Sequence, residues 1–120
     1  MPFEEFPTPE EEKKISNYAE AIEYLKKEGE GGARSELFQN FIEQREDKVE
    51  SHIQALELAF RLAVLYYMAG FKEYALESLR GIEETEDYIT EETGLFARLG
   101  EVKKKMETDQ VIEIDFFDEL

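Results

Sequence analysis

The stretch from Ala55 to Ala69 is the most apolar part of the chain, and it constrains the fold more than any other feature. One apolar seam with helical spacings of three and four residues consists of Val49, Ile53, Leu56, Phe60, Ala63 and Tyr67. The opposite face is also apolar, through Leu58, Leu62, Leu65 and Met68. A helix that is hydrophobic on every side is buried on every side. The sequence therefore predicts an all-α fold, a compact bundle of about five helices around this buried central helix.

Helix-start and helix-stop residues divide the first half of the chain. Thr8 followed by Pro9 and two glutamates is typical of a helix start, and Gly29 of a helix end, which predicts a first helix over about 9–28. A second helix is expected from about residue 33. It either breaks near residue 46, which we favour, or continues as one bent helix over 33–69. In the first case Asp47, three residues before a glutamate, is the expected cap of the central helix.

The second half of the domain is divided in the same way. Gly70 is expected to end the central helix in the left-handed cap position, and a fourth helix follows over about 71–80. The acidic segment 81–89 is loop-like, and Thr90 is the expected cap of a fifth helix. The buried face of that helix is expected to contain Leu95, Phe96, Leu99, Val102 and Met106.

The two ends of the chain differ from the helical part. Phe3 and Phe6 lie among prolines in an extended arm, 1–8, which either covers the protein's own core or binds a partner. We therefore interpret 1–106 as a single helical domain. Residues 107–120 form an acidic tail with no basic side chain, and the apolar alternation at positions 112, 114 and 116 predicts an extended or strand-like conformation.

Charge restricts the classes of partner. The formal net charge is −16, from 30 acidic and 14 basic residues, so the chain repels nucleic acid and anionic membranes and attracts basic proteins. Direct nucleic-acid or membrane binding is not expected. The absence of cysteine and of a signal-peptide pattern at the N-terminus favours a cytoplasmic location. Glutamate far outnumbers aspartate, 25 to 5, a balance typical of thermophile proteins.

Motifs for catalysis or metal binding are scarce. The single histidine, His52, has no Glu-x-x-His pattern around it, and we expect it on the surface rather than in a helix–helix hydrogen bond or a metal site. Glu57 and Arg61 interrupt the most apolar helix, either as an exposed ion pair or as a buried pair that fixes register or faces a second subunit. No catalytic, cofactor-binding or metal-binding residue is predicted.

The segment 66–79 contains a motif-like turn. Tyr66 precedes Gly70 by four residues, Ala75 follows five residues later, and Leu79 occupies the next packing position. This pattern resembles the middle of a tetratricopeptide repeat, and the segment 18–25 is similar to the second helix of such a repeat. The 34-residue period of that family and its closing proline are absent. The resemblance implies a peptide-binding scaffold without specifying a ligand.

The tail is the predicted protein-interaction site. Its apolar residues are unfavourable in water, so we expect them to dock on a partner, on the bundle itself or on a dimer mate. These residues are Ile112, Ile114, Phe116, Phe117 and Leu120. Gln110 with Phe116 and Phe117 has the end spacing of peptides that bind sliding clamps, and the resemblance implies a clamp partner, although Glu113 replaces the aliphatic residue of that motif.

These observations favour a non-enzymatic adaptor or regulatory subunit that binds a basic or groove-bearing protein partner. The alternative is an acidic nucleic-acid mimic that inhibits a basic-grooved protein through the segment 83–92 and the tail. A small-molecule or metal-dependent enzyme is a weaker third hypothesis. A homodimer is a further expectation, because the central helix has more apolar surface than its short neighbours easily cover. Deletion of residues 107–120 is expected to abolish partner capture and leave thermal stability nearly unchanged.

Overall fold

A computed structural model describes residues 14–90 and 93–118 of the chain. The described part is an all-α bundle, as the sequence predicts, and no strand occurs in it. Two short 3-10 turns accompany the α-helices, at Glu86–Tyr88 and at Ile114–Asp118. The helices are α1 (Tyr18–Glu28), α2 (Glu30–Ala33), α3 (Glu36–Glu46), α4 (His52–Met68), α5 (Lys72–Glu83) and α6 (Leu95–Glu107).

The central helix α4 belongs to two hydrophobic clusters. On one side Phe60, Ala63 and Val64 pack with buried residues of α5, α6 and the tail. On the other side Leu65 packs with buried residues of α1 and α3. Each amphipathic neighbour buries one apolar face, so together they cover α4 from both sides. No helix in the described ranges is long and apolar enough to cross a membrane.

The predicted helix over about 9–28 is not continuous in the described residues. Residues 14–17 are not helical, and α1 starts at Tyr18, where the Asn17 side chain accepts a hydrogen bond from the backbone N–H of Glu20 (2.9 Å). Ile15 lies before this cap and is 5% exposed, so the chain enters the core ahead of the helix. The predicted Thr8 cap and the arm with Phe3 and Phe6 lie outside the described residues. The predicted end at Gly29 is confirmed, with φ 74°.

The break between α3 and α4 is confirmed, but its cap was predicted wrongly. The side chain of Ser51, rather than Asp47, accepts the capping hydrogen bond, from Gln54 N at 3.1 Å. Its φ and ψ of −147° and 165° are the extended values that an N-cap requires. The sequence also did not predict the four-residue helix α2, which precedes α3.

The helix-start and helix-end predictions in the second half are partly wrong. Helix α5 continues through Gly81 to Glu83, which buries Ile82. Helix α6 does not use the predicted cap Thr90. It follows Gly94, which has φ 73°, and Thr93 Oγ1 accepts a hydrogen bond from Leu95 N (2.6 Å). Burial of an additional apolar residue therefore lengthens α5 beyond the point at which local propensity ends it.

Gly70 makes the tight turn between α4 and α5. Its φ is 103°, in the left-handed region that costs an L side chain free energy. The N–H of Phe71 donates to Tyr66 O (2.8 Å), and the N–H of Gly70 donates to Tyr67 O (3.0 Å). This hydrogen-bond pair is a Schellman motif, and it satisfies carbonyl groups that the end of α4 leaves unpaired. The predicted hairpin is thus present.

Asp109 makes the same kind of turn at the end of α6. Its φ is 58°, and the N–H of Gln110 donates to Lys105 O (2.8 Å) while its own N–H donates to Met106 O (3.1 Å). A carboxylate oxygen of Asp109 lies 2.8 Å from Lys72 Nζ at the start of α5. This contact and the turn direct the tail back toward the α4–α5 hairpin.

Substitution of Asp109 tests this turn. We expect Asp109→Ala to lower the free energy of unfolding by about 1 kcal/mol, since alanine tolerates the left-handed conformation poorly and the exposed ion pair is lost. Asp109→Gly also removes the ion pair but relieves the backbone, so its stability should stay within about 0.5 kcal/mol of the parent. Urea unfolding of both variants measures the difference. Equal destabilisation by the two would contradict a conformational role for this residue.

Candidate functional site

An aromatic groove lies where α2 and the start of α3 approach the α4–α5 turn. Its volume is about 380 Å³, within the range of ligand-binding clefts. We define the aromatic groove by its lining residues: Glu30, Ala33, Arg34, Gln39, Tyr66, Phe71 and Tyr74. The Schellman turn at Gly70 brings the three aromatic members to one side. The short helix α2 supplies the opposite wall.

Tyr66 and Tyr74 are neighbours in the groove lining. Their rings meet edge to face, with centroids 4.8 Å apart and an interplanar angle of 88°. Tyr66 also packs against Phe38 of the second cluster, at 6.0 Å. Burial, and then the neighbouring Tyr74, raise the pKa of Tyr66 to about 12. The Tyr66 hydroxyl therefore stays protonated to a higher pH than an exposed tyrosine.

Tyr74 itself is 55% exposed, on a helix whose opposite face is buried. Its ring contacts Tyr66 edge to face and lines the groove. Tyrosines that are anchored at one end and open to solvent at the other are enriched in protein interfaces. The groove lining thus combines a partly buried tyrosine, Tyr66, with an exposed one, Tyr74.

Side-chain hydrogen bonds fix the wall opposite the tyrosines. Gln39 Nε2 donates to Ala33 O (2.7 Å), which ties α3 to the end of α2. Tyr24 Oη donates to Ser35 Oγ (2.8 Å), and Ser35 Oγ in turn donates to Gly32 O (2.8 Å). These bonds hold the α2–α3 turn against α1. The groove is consequently preformed rather than dependent on a flexible loop.

The structure places the predicted tail residues mainly against the bundle. Ile112 is 6% exposed, Phe116 lies edge to face with Phe60 (5.4 Å), and Phe117 stacks on Tyr18 (4.3 Å, interplanar angle 5°). Ile114 is 45% exposed. Leu120 lies outside the described residues. The tail forms the Ile114–Asp118 3-10 turn, which allows two consecutive phenylalanines to pack inward.

The tail also has polar anchors on the bundle. Tyr67 Oη donates a hydrogen bond to Gln110 O (2.6 Å), six residues before the two phenylalanines. The Lys72–Asp109 ion pair lies beside it, and hydrogen bonding to Asp109 raises the pKa of Lys72. The backbone of Gln110, the first residue of the clamp-like spacing, is thus engaged within the protein.

The remaining predicted residues of interest are dispersed. His52 is exposed at the start of α4. Glu57 does not pair with Arg61 in either of the ways that the sequence suggests. Its Oε2 instead lies 2.7 Å from Nη2 of Arg98 on α6, and both side chains are about one-third exposed, at 29% and 35%. Within residues 14–90 and 93–118, no group of three or more His, Asp or Glu side chains is placed to hold a metal ion.

A second cleft, of about 340 Å³, lies between α1, the α3–α4 connection and α4. Three cationic side chains face it in a chain whose net charge is −16. We call it the basic cleft. Its lining residues are Tyr18, Arg45, Lys48, Val49, Gln54, Glu57, Leu58 and Arg61.

Sequence reasoning missed both clefts, although it found parts of the first. The segment 66–79 supplies Tyr66, Phe71 and Tyr74, and its hairpin pattern was the signal that could have indicated an aromatic surface. Ala33 and Arg34 come from a turn that the pattern did not show. The acidic segment predicted for nucleic-acid mimicry is partly engaged, since Glu83 pairs with Lys103 (3.0 Å).

Comparison with known proteins gave no assignment: no family model, no curated protein and no solved structure matches the chain. The likeness to a tetratricopeptide repeat therefore stays a resemblance of the 66–79 hairpin.

Proposed function

We propose that the protein is a non-catalytic adaptor that binds a basic segment of a protein partner in the aromatic groove. The exposure of Tyr74, whose ring meets Tyr66 edge to face in the groove, is the observation that supports this function most directly. A lysine or arginine side chain placed over these rings gains a cation–π interaction. Glu30 lines the same groove and offers a carboxylate to the cation.

The charge of the whole chain favours the same class of partner. A net charge of −16 attracts cationic segments over a distance and accelerates their encounter with the surface. Once the segment has reached the surface, the side chains of the groove make short-range contacts with it, which long-range attraction alone does not provide. We assign binding to the groove rather than to the tail, because Ile112, Phe116 and Phe117 pack against the bundle.

Short synthetic peptides test the proposal. Peptides that contain arginine or lysine beside an apolar residue should bind, whereas peptides with glutamate at the same positions should not. Tyr74→Ala should weaken binding by about tenfold or more, as expected for an aromatic residue at the centre of an interface. Fluorescence anisotropy of labelled peptides measures the affinity.

Tyr88→Ala is the matched control, because Tyr88 is 82% exposed on the Glu86–Tyr88 turn and does not line the groove. Its peptide affinity should equal that of the parent. Equal losses in the Tyr74 and Tyr88 variants, or equal binding of basic and acidic peptides, would reject the aromatic groove as the binding surface.

Nucleic-acid mimicry is a second candidate function, favoured by the exposed acidic side chains of Glu84, Glu86 and Asp87 at and beside the Glu86–Tyr88 turn. A mimic would bind the basic groove of a DNA-binding protein mainly through charge, so its affinity would fall steeply with salt and DNA would compete. Neutralisation of these three side chains to amides should impair such binding and leave peptide binding in the aromatic groove intact.

A further inference from the structure

The basic cleft has an excess of positive charge that the described carboxylates do not neutralise. Arg45, Lys48 and Arg61 line it, and none of them forms an ion pair with a described residue. The one carboxylate in the lining, Glu57, is matched by Arg98. Clustered cations repel one another unless an anion lies among them, so this arrangement favours occupation by an anion.

Arg45 is held rigidly in place. Its Nη2 donates to Ser16 O (3.0 Å) and its Nη1 donates to Phe41 O (3.4 Å). The guanidinium also lies over the rings of Phe41 (3.9 Å) and Tyr18 (5.1 Å). All of these partners are neutral, so they position the guanidinium and leave its charge in place.

Two further donors, on residues that line the cleft, are buried beneath its surface. Tyr18 Oη and Arg61 Nε each expose less than 1 Å² and have no hydrogen-bond partner in the described structure. Buried donors without partners are costly and rare in folded proteins. Gln54 adds a side-chain amide whose oxygen already accepts from Glu50 N (2.6 Å), which leaves its NH2 group to donate. Both orphan donors belong to residues that line the same cleft.

From this arrangement we infer that the basic cleft is a binding site for a phosphate monoester. The ammonium of Lys48, the amide of Gln54 and the terminal nitrogens of Arg61 have more donors than the two oxygens of one carboxylate can accept, whereas a phosphate group offers three acceptor oxygens.

The cleft is larger than an inorganic phosphate needs, and two aliphatic side chains complete its lining. A monoester with a small apolar group therefore fits better than the free ion. A phosphorylated metabolite and a phosphorylated side chain share this chemistry. The inference does not depend on the aromatic groove, which lies on different residues.

Calorimetric titration of the full chain with inorganic phosphate, phenyl phosphate and phosphoserine tests the site, against sulfate and benzoate at matched ionic strength. We expect saturable binding of the phosphates, tightest for an ester. Sulfate, which lacks the apolar group, and benzoate, which has only two oxygens, should each bind at least about threefold more weakly than the tighter ester. Tighter binding of phenyl phosphate than of phosphoserine indicates that the ligand is a small phosphorylated molecule. The reverse order indicates a phosphorylated side chain. Either order supports a monoester site.

Variants locate the binding. Arg61→Gln and Lys48→Gln should each weaken phenyl phosphate binding by about tenfold or more. Lys48 is exposed, so its variant keeps the test valid even if Arg61→Gln unfolds the chain. Arg80→Gln, an exposed cation on α5 outside the cleft, should bind as the parent does. No binding beyond that of matched chloride, or equal losses in the Lys48 and Arg80 variants, would overturn the inference.

Discussion

Removal of residues 111–120 is expected to lower the free energy of unfolding by about 4 kcal/mol or more, and the thermal midpoint by roughly 15–20 °C. The segment contributes Ile112, which is 6% exposed, and the rings of Phe116 and Phe117 to the hydrophobic clusters. Phe117 touches both clusters, so its loss exposes apolar surface on each. Circular dichroism during heating, together with urea unfolding, measures the change. The truncated chain keeps Asp109 and Gln110, so the anchors at the end of α6 remain.

A double substitution in the same segment is the control. Val111 and Ile114 are 77% and 45% exposed, so replacing both by serine should change stability by less than about 1 kcal/mol. The sequence alone led to the opposite expectation for the tail, namely little effect of deletion on stability. If truncation leaves the thermal midpoint unchanged, the packing of Phe116 and Phe117 on the bundle is unimportant, and the tail regains its place as the first candidate for partner binding.

The features that the sequence predicted well depend on local signals. A helix that is apolar on every face and is followed by a glycine is sufficient to predict α4 and the turn at Gly70. The apolar faces require burial of α4, and the left-handed end of a helix favours glycine. The end of α1 at Gly29 is of the same kind. Helix starts were predicted less well. Several residues near each start can cap, and tertiary packing selects among them, as at Ser51 in place of Asp47.

The tail shows why a pattern of alternation was insufficient. Period two requires the residues at 112, 114 and 116 to share a face, but Ile114 is exposed while Phe116 and Phe117 both pack inward. The partners that decide this arrangement, Tyr18 and Phe60, are far away in the sequence. No local rule identifies such partners.

The candidate sites depend on equally distant residues. The aromatic groove needs the unforeseen helix α2 opposite the α4–α5 hairpin. The basic cleft needs Tyr18, Arg45 and Arg61, which lie on three different helices. Arg98 was likewise absent from any sequence argument about Glu57, although the two side chains are only 2.7 Å apart. The net charge of the chain describes its surface as a whole and gives no sign of the local excess of cationic side chains in the basic cleft.

Because α4 contributes to both hydrophobic clusters, we expect the described bundle to unfold in one cooperative transition. Leu25 of α1 lies in one cluster and Leu99 of α6 in the other, at 0% and 1% exposure. Leu25→Ala and Leu99→Ala should each cost about 2–5 kcal/mol, a large part of the roughly 5–15 kcal/mol that stabilises a typical domain. Each variant should lower the midpoint of the same single transition, observed by far-ultraviolet circular dichroism and by tyrosine fluorescence.

Leu37→Ala is the matched control, since Leu37 is only half-buried at the edge of the cluster that contains Leu25, and its variant should lose clearly less stability. The number of unfolding transitions is a sharper test, because it shows whether α4 couples the two hydrophobic clusters. When one cluster opens, the face of α4 that it covered becomes exposed, and the helix then has too little remaining burial to hold the other cluster together. Two separate transitions, with Leu25→Ala lowering one and Leu99→Ala the other, would contradict this coupling and would divide the chain into two independently stable units.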